Sequence, residues 1–425
     1  MKTVLGVALC ALILGSGALR AEEGGQAEAA ASSGHEMAAP AEGEAHAEGG
    51  EASAEGEEGA VQFATTRAPM PFDVMRSVQF LQDQVARGNG RAIRVQALLL
   101  RRFGRTFLEA DPVVWRDPRN FRAVILFSLS GGTPDVLDRL MREKLLDESQ
   151  TALTEGTLAY VRNNLEKAKK RFAEVSFDGM EPVLAAQLHL VLGQIHQVDN
   201  PKDAIAHLDQ ARLLAPGTLI EEASLRLGAM LVDASGDHAR ADQLARRYFD
   251  RYADSSYAGN FEARFTAMVT SRGSQNAEEA LAEMSDVIAG LPPARRQTLY
   301  LAAARRSLVE GNLQFAAASA EAAIALPGLS EADESRAELY RTASSLGTLK
   351  PSDARATLDR IARAELHPED ATLLDAAYTV LDQIDATLAA MPAPSATVAS
   401  AETSGPAVLA RAEAALAQSS QALKP

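Results

Sequence analysis

Cysteine is almost missing from this chain: the one copy, Cys10, sits in the first ten residues behind a bulky Leu9. Leu9 is too large for a lipidation signal, and a chain without cysteine beyond its leader cannot be caught in unwanted disulfides in an oxidising compartment. Aromatic residues are equally sparse at 5%, with Trp115 the single tryptophan, while alanine dominates. That composition suits closely packed helices better than a sheet. Positive charge is in deficit, with 42 Lys and Arg against 57 Asp and Glu and a net charge of −15. Such a surface repels phosphates and excludes general nucleic-acid binding. Long apolar runs are absent too. The one apolar stretch, Val4 to Leu14, is too short to cross ~30 Å of hydrocarbon. No nucleophile elbow, phosphate loop or dinucleotide fingerprint appears.

What is present is a period. Ala168, Ala204, Ala241, Ala280, Ala316 and Ala354 succeed one another at 36, 37, 39, 36 and 38 residues. Each stands four positions after a turn residue: Asn164, Asn200, Asp237, Asn276, Asn312 and Lys350. A small side chain at one place in every repeat lets a helix backbone lie close to its neighbour. A period of 35–40 with two helices per unit predicts an all-α, tetratricopeptide-like α-solenoid of about six to eight helical hairpins.

Along the chain, residues 1–21 read as a signal peptide, with Lys2 ahead of the apolar run and small residues after it. Residues 22–70 form an Ala/Gly/Glu-rich tail. Between 22 and 60 it holds eleven Glu and no Asp, Lys or Arg, a composition that predicts disorder. Residues 71–150 read as divergent N-terminal hairpins. Val74, Val78, Leu81 and Val85 make one apolar stripe, Gly88-Asn89-Gly90 turns the chain, and Ile93, Ala97, Leu100, Phe103 and Phe107 make a second. This hairpin carries Arg87, Arg91, Arg94, Arg101, Arg102 and Arg105, a basic patch in an acidic protein. It reads as a solvated face or as a dock for an acidic partner or the chain's own acidic tail. Beyond it, Asp111-Pro112 and Asp117-Pro118 punctuate the chain, and Ser130-Gly131-Gly132 is a turn.

Residues 151–390 are predicted to be the regular repeat, with helix pairs at 151–162 and 165–175, 182–197 and 201–214, 219–234 and 238–252. The series continues at 258–271 and 277–289, 294–309 and 313–325, 331–346 and 352–364, capped by a helix near 370–390. Residues 391–425 are a Pro/Ala/Ser linker with a short helix.

Little here promises chemistry. His189 and His196 share a helix face but lie two turns apart, too far for one tetrahedral ion, and no His/Cys spacing for a metal occurs. Neither a metal nor a cofactor is expected. Glu334-Ser335 echoes the catalytic pair of lytic transglycosylases, but the Gly-Leu-Met-Gln segment is missing and the period assigns Glu334 to an ordinary helix. The composition and period lead to a non-enzymatic, exported helical-repeat binding protein.

A resemblance adds to this. Val74-Met75-Arg76-Ser77-Val78-Gln79-Phe80-Leu81-Gln82-Asp83-Gln84-Val85 with Gly88-Asn89 and Arg91-Ala92-Ile93 resembles the opening of the MotC family. So do Asp111-Pro112, Trp115-Arg116-Asp117-Pro118-Arg119-Asn120, Leu129-Ser130-Gly131-Gly132, the stretch Ala211 to Thr218, and Tyr248 to Tyr252. The acidic tail at 22–60 is not matched to that pattern, and its role stays open. The resemblance implies a periplasmic motility protein required for flagellar rotation rather than assembly. It implies binding to the periplasmic region of the stator protein MotB, an influence on stator engagement or ion-channel state, and a dedicated periplasmic chaperone. The other reading is a periplasmic scaffold for cell-wall or envelope complexes. The candidate partner-binding residues are Arg87, Arg91, Arg94, Arg101, Trp115, Arg119 and Asn120, since Arg and Trp are common interface anchors. For Trp115, burial against the first helices is the competing expectation.

Overall fold

The computed structural model describes residues 69–390. The segments read from the sequence as signal peptide, acidic tail, and C-terminal linker with a short helix lie outside the described residues. Among those described there are 17 α-helices and no strand. They divide into two compact units at Ala258/Gly259.

The first unit holds α1 (Pro71–Ala86), α2 (Arg91–Leu108), α3 (Pro118–Leu129), α4 (Asp135–Arg142) and α5 (Glu148–Val161). It continues with α6 (Leu165–Phe172), α7 (Pro182–His196), α8 (Pro201–Leu214), α9 (Leu219–Ala234) and α10 (His238–Tyr252). The second holds α11 (Ala258–Gly273), which starts at the boundary, then α12 (Ala277–Val287), α13 (Pro293–Val309), α14 (Leu313–Ile324), α15 (Glu331–Ser344), α16 (Pro351–Leu358) and α17 (Pro368–Ala390).

The repeat signal has a local cause at both of its marked positions. Asn164, Asn200, Asp237, Asn276 and Asn312 are N-caps, each accepting a hydrogen bond from the backbone N–H three residues on. An Asn or Asp side chain there satisfies a donor the helix cannot. Lys350 has no such bond, and α16 starts instead on Pro351, whose fixed φ suits a first turn. The six alanines are all at most 2% exposed. One turn inside each second helix, they pack where a larger side chain would push two helices apart.

Within the first unit, α5 packs on α6, α7 on α8 and α9 on α10, and α8 then meets α9. The centre of the core is α3. From Ala123 to Leu129 every residue is buried, and α1, α4, α5 and α7 all touch it. A helix apolar on all sides is a buried one. Asp117 caps it by accepting from Arg119 N–H at 2.9 Å, with Pro118 as its first residue.

The first hairpin also meets the far end of its own unit. Helix α1 touches α9, Ser256 N–H donates to the Val85 carbonyl at 3.1 Å, and Gly88 lies against the backbone of Asp254.

A second link in this unit is polar. Glu221 and Glu222, adjacent in α9, are 2% and 0% exposed. Tyr248 of α10 donates to Glu222 at 2.7 Å, and Tyr252, one turn on, donates to Glu221 at 2.7 Å. Arg226 binds Glu222 at 3.3 Å, while Gly217 N–H and Arg251 bind Glu221 at 2.6 and 3.0 Å. Burial first, and the neighbouring carboxylates next, push both tyrosine hydroxyls up, so they stay protonated donors.

In the second unit α13 packs on α14, α14 on α15 and α16 on α17. Helix α17 is tied down at its first turn by Asp370, which is 2% exposed. It accepts from Tyr340 Oη at 2.8 Å and Arg305 Nε at 3.0 Å.

Candidate functional site

One side of α2 fixes how the whole helix lies. Ala92, Leu100, Gly104 and Phe107 recur on that side and are buried. Phe107 anchors it, its ring 5.0 Å from Phe127 and edge-on to Trp115 at 6.4 Å. The last turn is fixed by Arg139 of α4, which donates to the Leu108 and Ala110 carbonyls at 2.6 and 2.8 Å. A cation on the final carbonyls complements the negative end of the helix dipole.

The opposite face, fixed by this packing, carries Arg91, Arg94, Arg101, Arg102 and Arg105, all exposed, around Val95 and Leu98. Leu98 is 57% exposed. None of the 18 residues of α2 is acidic. Among the described residues no carboxylate pairs with any of these five guanidinium groups; Arg102 leans over the Phe103 ring at 5.9 Å. The face runs about 21 Å from Arg91 to Arg105. Arg91/Arg94, Arg102/Arg105 and Arg101/Arg105 are like-charge neighbours at helical spacing, each pair costing roughly 0.2–0.5 kcal/mol. The fold offers no compensation for that cost. An apolar centre framed by arginines fits a carboxylate-bearing ligand, because guanidinium binds carboxylate through two parallel hydrogen bonds.

The seven sequence candidates therefore separate. Arg91, Arg94 and Arg101 share the face, and Arg87 is exposed at the turn before it. Arg119 is exposed but committed: it holds Asp117 at 2.7 Å and stacks over the Phe72 ring at 4.3 Å. That pairing holds the Asp117 carboxyl below the usual range. Trp115 is 4% exposed and belongs to the core. Asn120, at 1%, accepts from Phe72 N–H at 3.2 Å and donates to the Val114 carbonyl at 2.8 Å. It joins α1 to the 3-10 turn Pro112–Arg116 and presents nothing to a partner. Val95 and Leu98, absent from the sequence candidates, are the apolar part of the face. Their signal was present, since they sit opposite the Leu100/Phe107 stripe.

A groove of about 490 Å³ in the second unit runs between α11 and α13 past Ala263, Leu299, Ala302 and Val309. Its ionic residues are paired: Glu262 with Arg295, Arg305 with Glu369 and Asp370, and Arg306 with Glu310. Glu334 is exposed on the first turn of α15, without the shelter a general acid needs to hold its proton.

The structure joins what spacing kept apart at the histidines. His207 of α8 comes between His189 and His196 of α7: Nδ1 of His207 is 2.9 Å from Nδ1 of His189, and its ring is 5.8 Å from that of His196. Phe177 stacks on His189 at 4.2 Å. His196 and His207 stack, while His189 and His207 are tilted and share a hydrogen bond; among the described residues no group of His, Cys, Asp or Glu is arranged for a metal ion. Burial, then His207, lowers His189 to about 4; burial also lowers His196 and His207. Lys169 adds to this at His196, while Asp203 acts against it at His196 and His207, and Asp199 at His196.

The folded state thus resists protonation that the unfolded chain accepts near 6.5. Stability should be full above that value and fall as pH drops towards about 4. Thermal melts followed by circular dichroism at pH 7.5 and 5.0 should show this loss, and His189→Phe should flatten it.

A family model described as chemotaxis protein MotC matches residues 13–424. A chemotaxis protein MotC of Rhizobium meliloti (strain 1021) is 28% identical over 318 residues, which are 74% of this chain and 72% of that protein.

Proposed function

The chain belongs to the MotC family of chemotaxis proteins, and from that premise we propose that it is an exported, non-enzymatic motility protein that grips the flagellar stator. Its partner is the periplasmic region of the stator protein MotB, and its task is to bias stator engagement or ion-channel state, so that flagella turn rather than merely assemble. The helical hairpins act as a tetratricopeptide-like solenoid, a surface suited to binding another protein. A dedicated periplasmic chaperone fits the same reading. Biasing a two-state partner requires that the protein bind one state more tightly than the other.

The observation that carries the contact surface is the unpaired arginine face of α2, with Leu98 at its centre. Isothermal calorimetry of the full chain against the periplasmic region of the same organism's MotB tests it. Saturable binding is expected, weakened at least about tenfold by Arg94→Glu with Arg101→Glu, since buried interfacial arginines typically cost ~2 kcal/mol or more on loss. Raised salt should weaken it too. Binding indifferent to both reversals would keep the partner and discard the α2 face. Absence of binding by a folded chain would favour a periplasmic scaffold for cell-wall or envelope complexes.

A further inference from the structure

We propose that the arginine face of α2 is also the docking surface for the chain's own acidic segment, residues 22–60. Three observations meet here. The face carries five exposed guanidinium groups that no carboxylate among the described residues pairs with, and α2 itself has no acid to offer. Residues 22–60 carry eleven Glu and no Lys or Arg, with His35 and His46 as their only basic side chains.

The third observation is where the chain enters the fold. The described structure starts at Pro69 and α1 at Pro71; a short turn then sends α2 back alongside α1. The end of α2 that carries Arg101, Arg102 and Arg105 therefore lies beside the point of entry. The eight residues 61–68 reach up to about 28 Å when extended, more than the whole face requires. Glu51, Glu55, Glu57 and Glu58 come first along that path, and Val61 and Phe63 just after them are apolar matches for Leu98.

Tethering makes the encounter intramolecular. A short tether holds the glutamates at an effective concentration on the order of millimolar, so even weak carboxylate–guanidinium contacts are populated. Eleven carboxylates facing five guanidinium groups can pair in many registers. The cover is therefore exchangeable, and an acidic ligand competes with it for the face. Competition lowers the ligand's apparent affinity by the fraction of time the face is free. None of this depends on which partner uses the face, so it stands or falls separately from the stator reading.

The test uses the full chain with Cys10→Ser and two new cysteines, Ser53→Cys in the acidic segment and Thr106→Cys on α2, carrying nitroxide labels. Pulsed electron–electron double resonance reads the distance between them. At low salt a population within roughly 30 Å, the scale of the helix, is expected. It should fall at least about threefold in ~0.5 M NaCl, where charges are screened within a few Å, and equally in the Arg94→Glu, Arg101→Glu, Arg105→Glu background. A broad distribution insensitive to salt and to charge reversal would overturn the proposal. So would a short distance that disappears on dilution with unlabelled chain, since the segment would then come from a second copy.

Discussion

Glu222→Ala should lower the unfolding free energy by about 3–5 kcal/mol, the usual cost of removing one partner of a buried ion pair. Glu222 is wholly buried and its carboxylate accepts from both Arg226 and the Tyr248 hydroxyl. Without it, Arg226, only 5% exposed, keeps a positive charge with its paired carboxylate gone. Tyr248 loses its 2.7 Å acceptor at the same time. The chain has no cheap escape: the guanidinium cannot deprotonate at ordinary pH, and the Tyr257 ring it lies over at 5.3 Å supplies no carboxylate. Glu222→Gln should cost less, because the amide oxygen can still accept from Tyr248. Urea titration followed by circular dichroism checks both. A loss below about 1 kcal/mol for the alanine variant would mean that water replaces the carboxylate and that the network is not sealed.

Gly88→Val should cost about 2–4 kcal/mol, from two independent penalties. Gly88 adopts a φ of +95°, where side chains with a Cβ are disfavoured. A Cβ there would also stand 2.5 Å from the carbonyl oxygen of Asp254, a backbone atom that cannot swing aside as a side chain can. The neighbouring hydrogen bond from Ser256 to Val85 should weaken with it. Gly90 supplies the control from the same turn. Its φ is −61°, and an added Cβ would meet only the Ser256 hydroxyl at 3.8 Å. Gly90→Ala should therefore leave stability within about 0.5 kcal/mol of the parent. Melting curves of the two variants side by side separate a special backbone position from a merely short turn.

The regular helices were legible because the signals were local. Asn at the cap and Ala one turn later are properties of a single helix and its nearest neighbour, and five of six caps form as the spacing implies. The apolar stripe Ala241, Leu244, Ala245, Tyr248 and Tyr252 is buried as its periodicity predicts. What the sequence concealed depends on partners far away along the chain. Glu221 and Glu222 read as ordinary acids in the first turn of a helix, favoured there by its dipole; only the tyrosines of α10 turn them into buried acceptors. His207 looked unrelated to His189 and His196 because one hairpin turn separates them. In the candidate site, the arginines on α2 were visible as a cluster, and the Leu100/Phe107 stripe already implied the face opposite to it. Counting charges could not reveal that Arg119 is spent on Asp117, or that Trp115 and Asn120 are turned inward by Phe107, Phe72 and Val114.

The meeting of Val85 and Gly88 with residues 254–256 has a consequence for the order in which the protein comes into being. Helical hairpins close quickly, because their contacts are near in sequence, whereas a contact spanning about 170 residues is slow and late. A chain emerging from its N-terminus makes α1 and α2 first and can seat them on α3 and α4 soon after, yet their contact with α9 and the loop after α10 waits until those have emerged. Until then the Val85–Gly88 turn lacks its cover, and the nascent protein is open to a protease there.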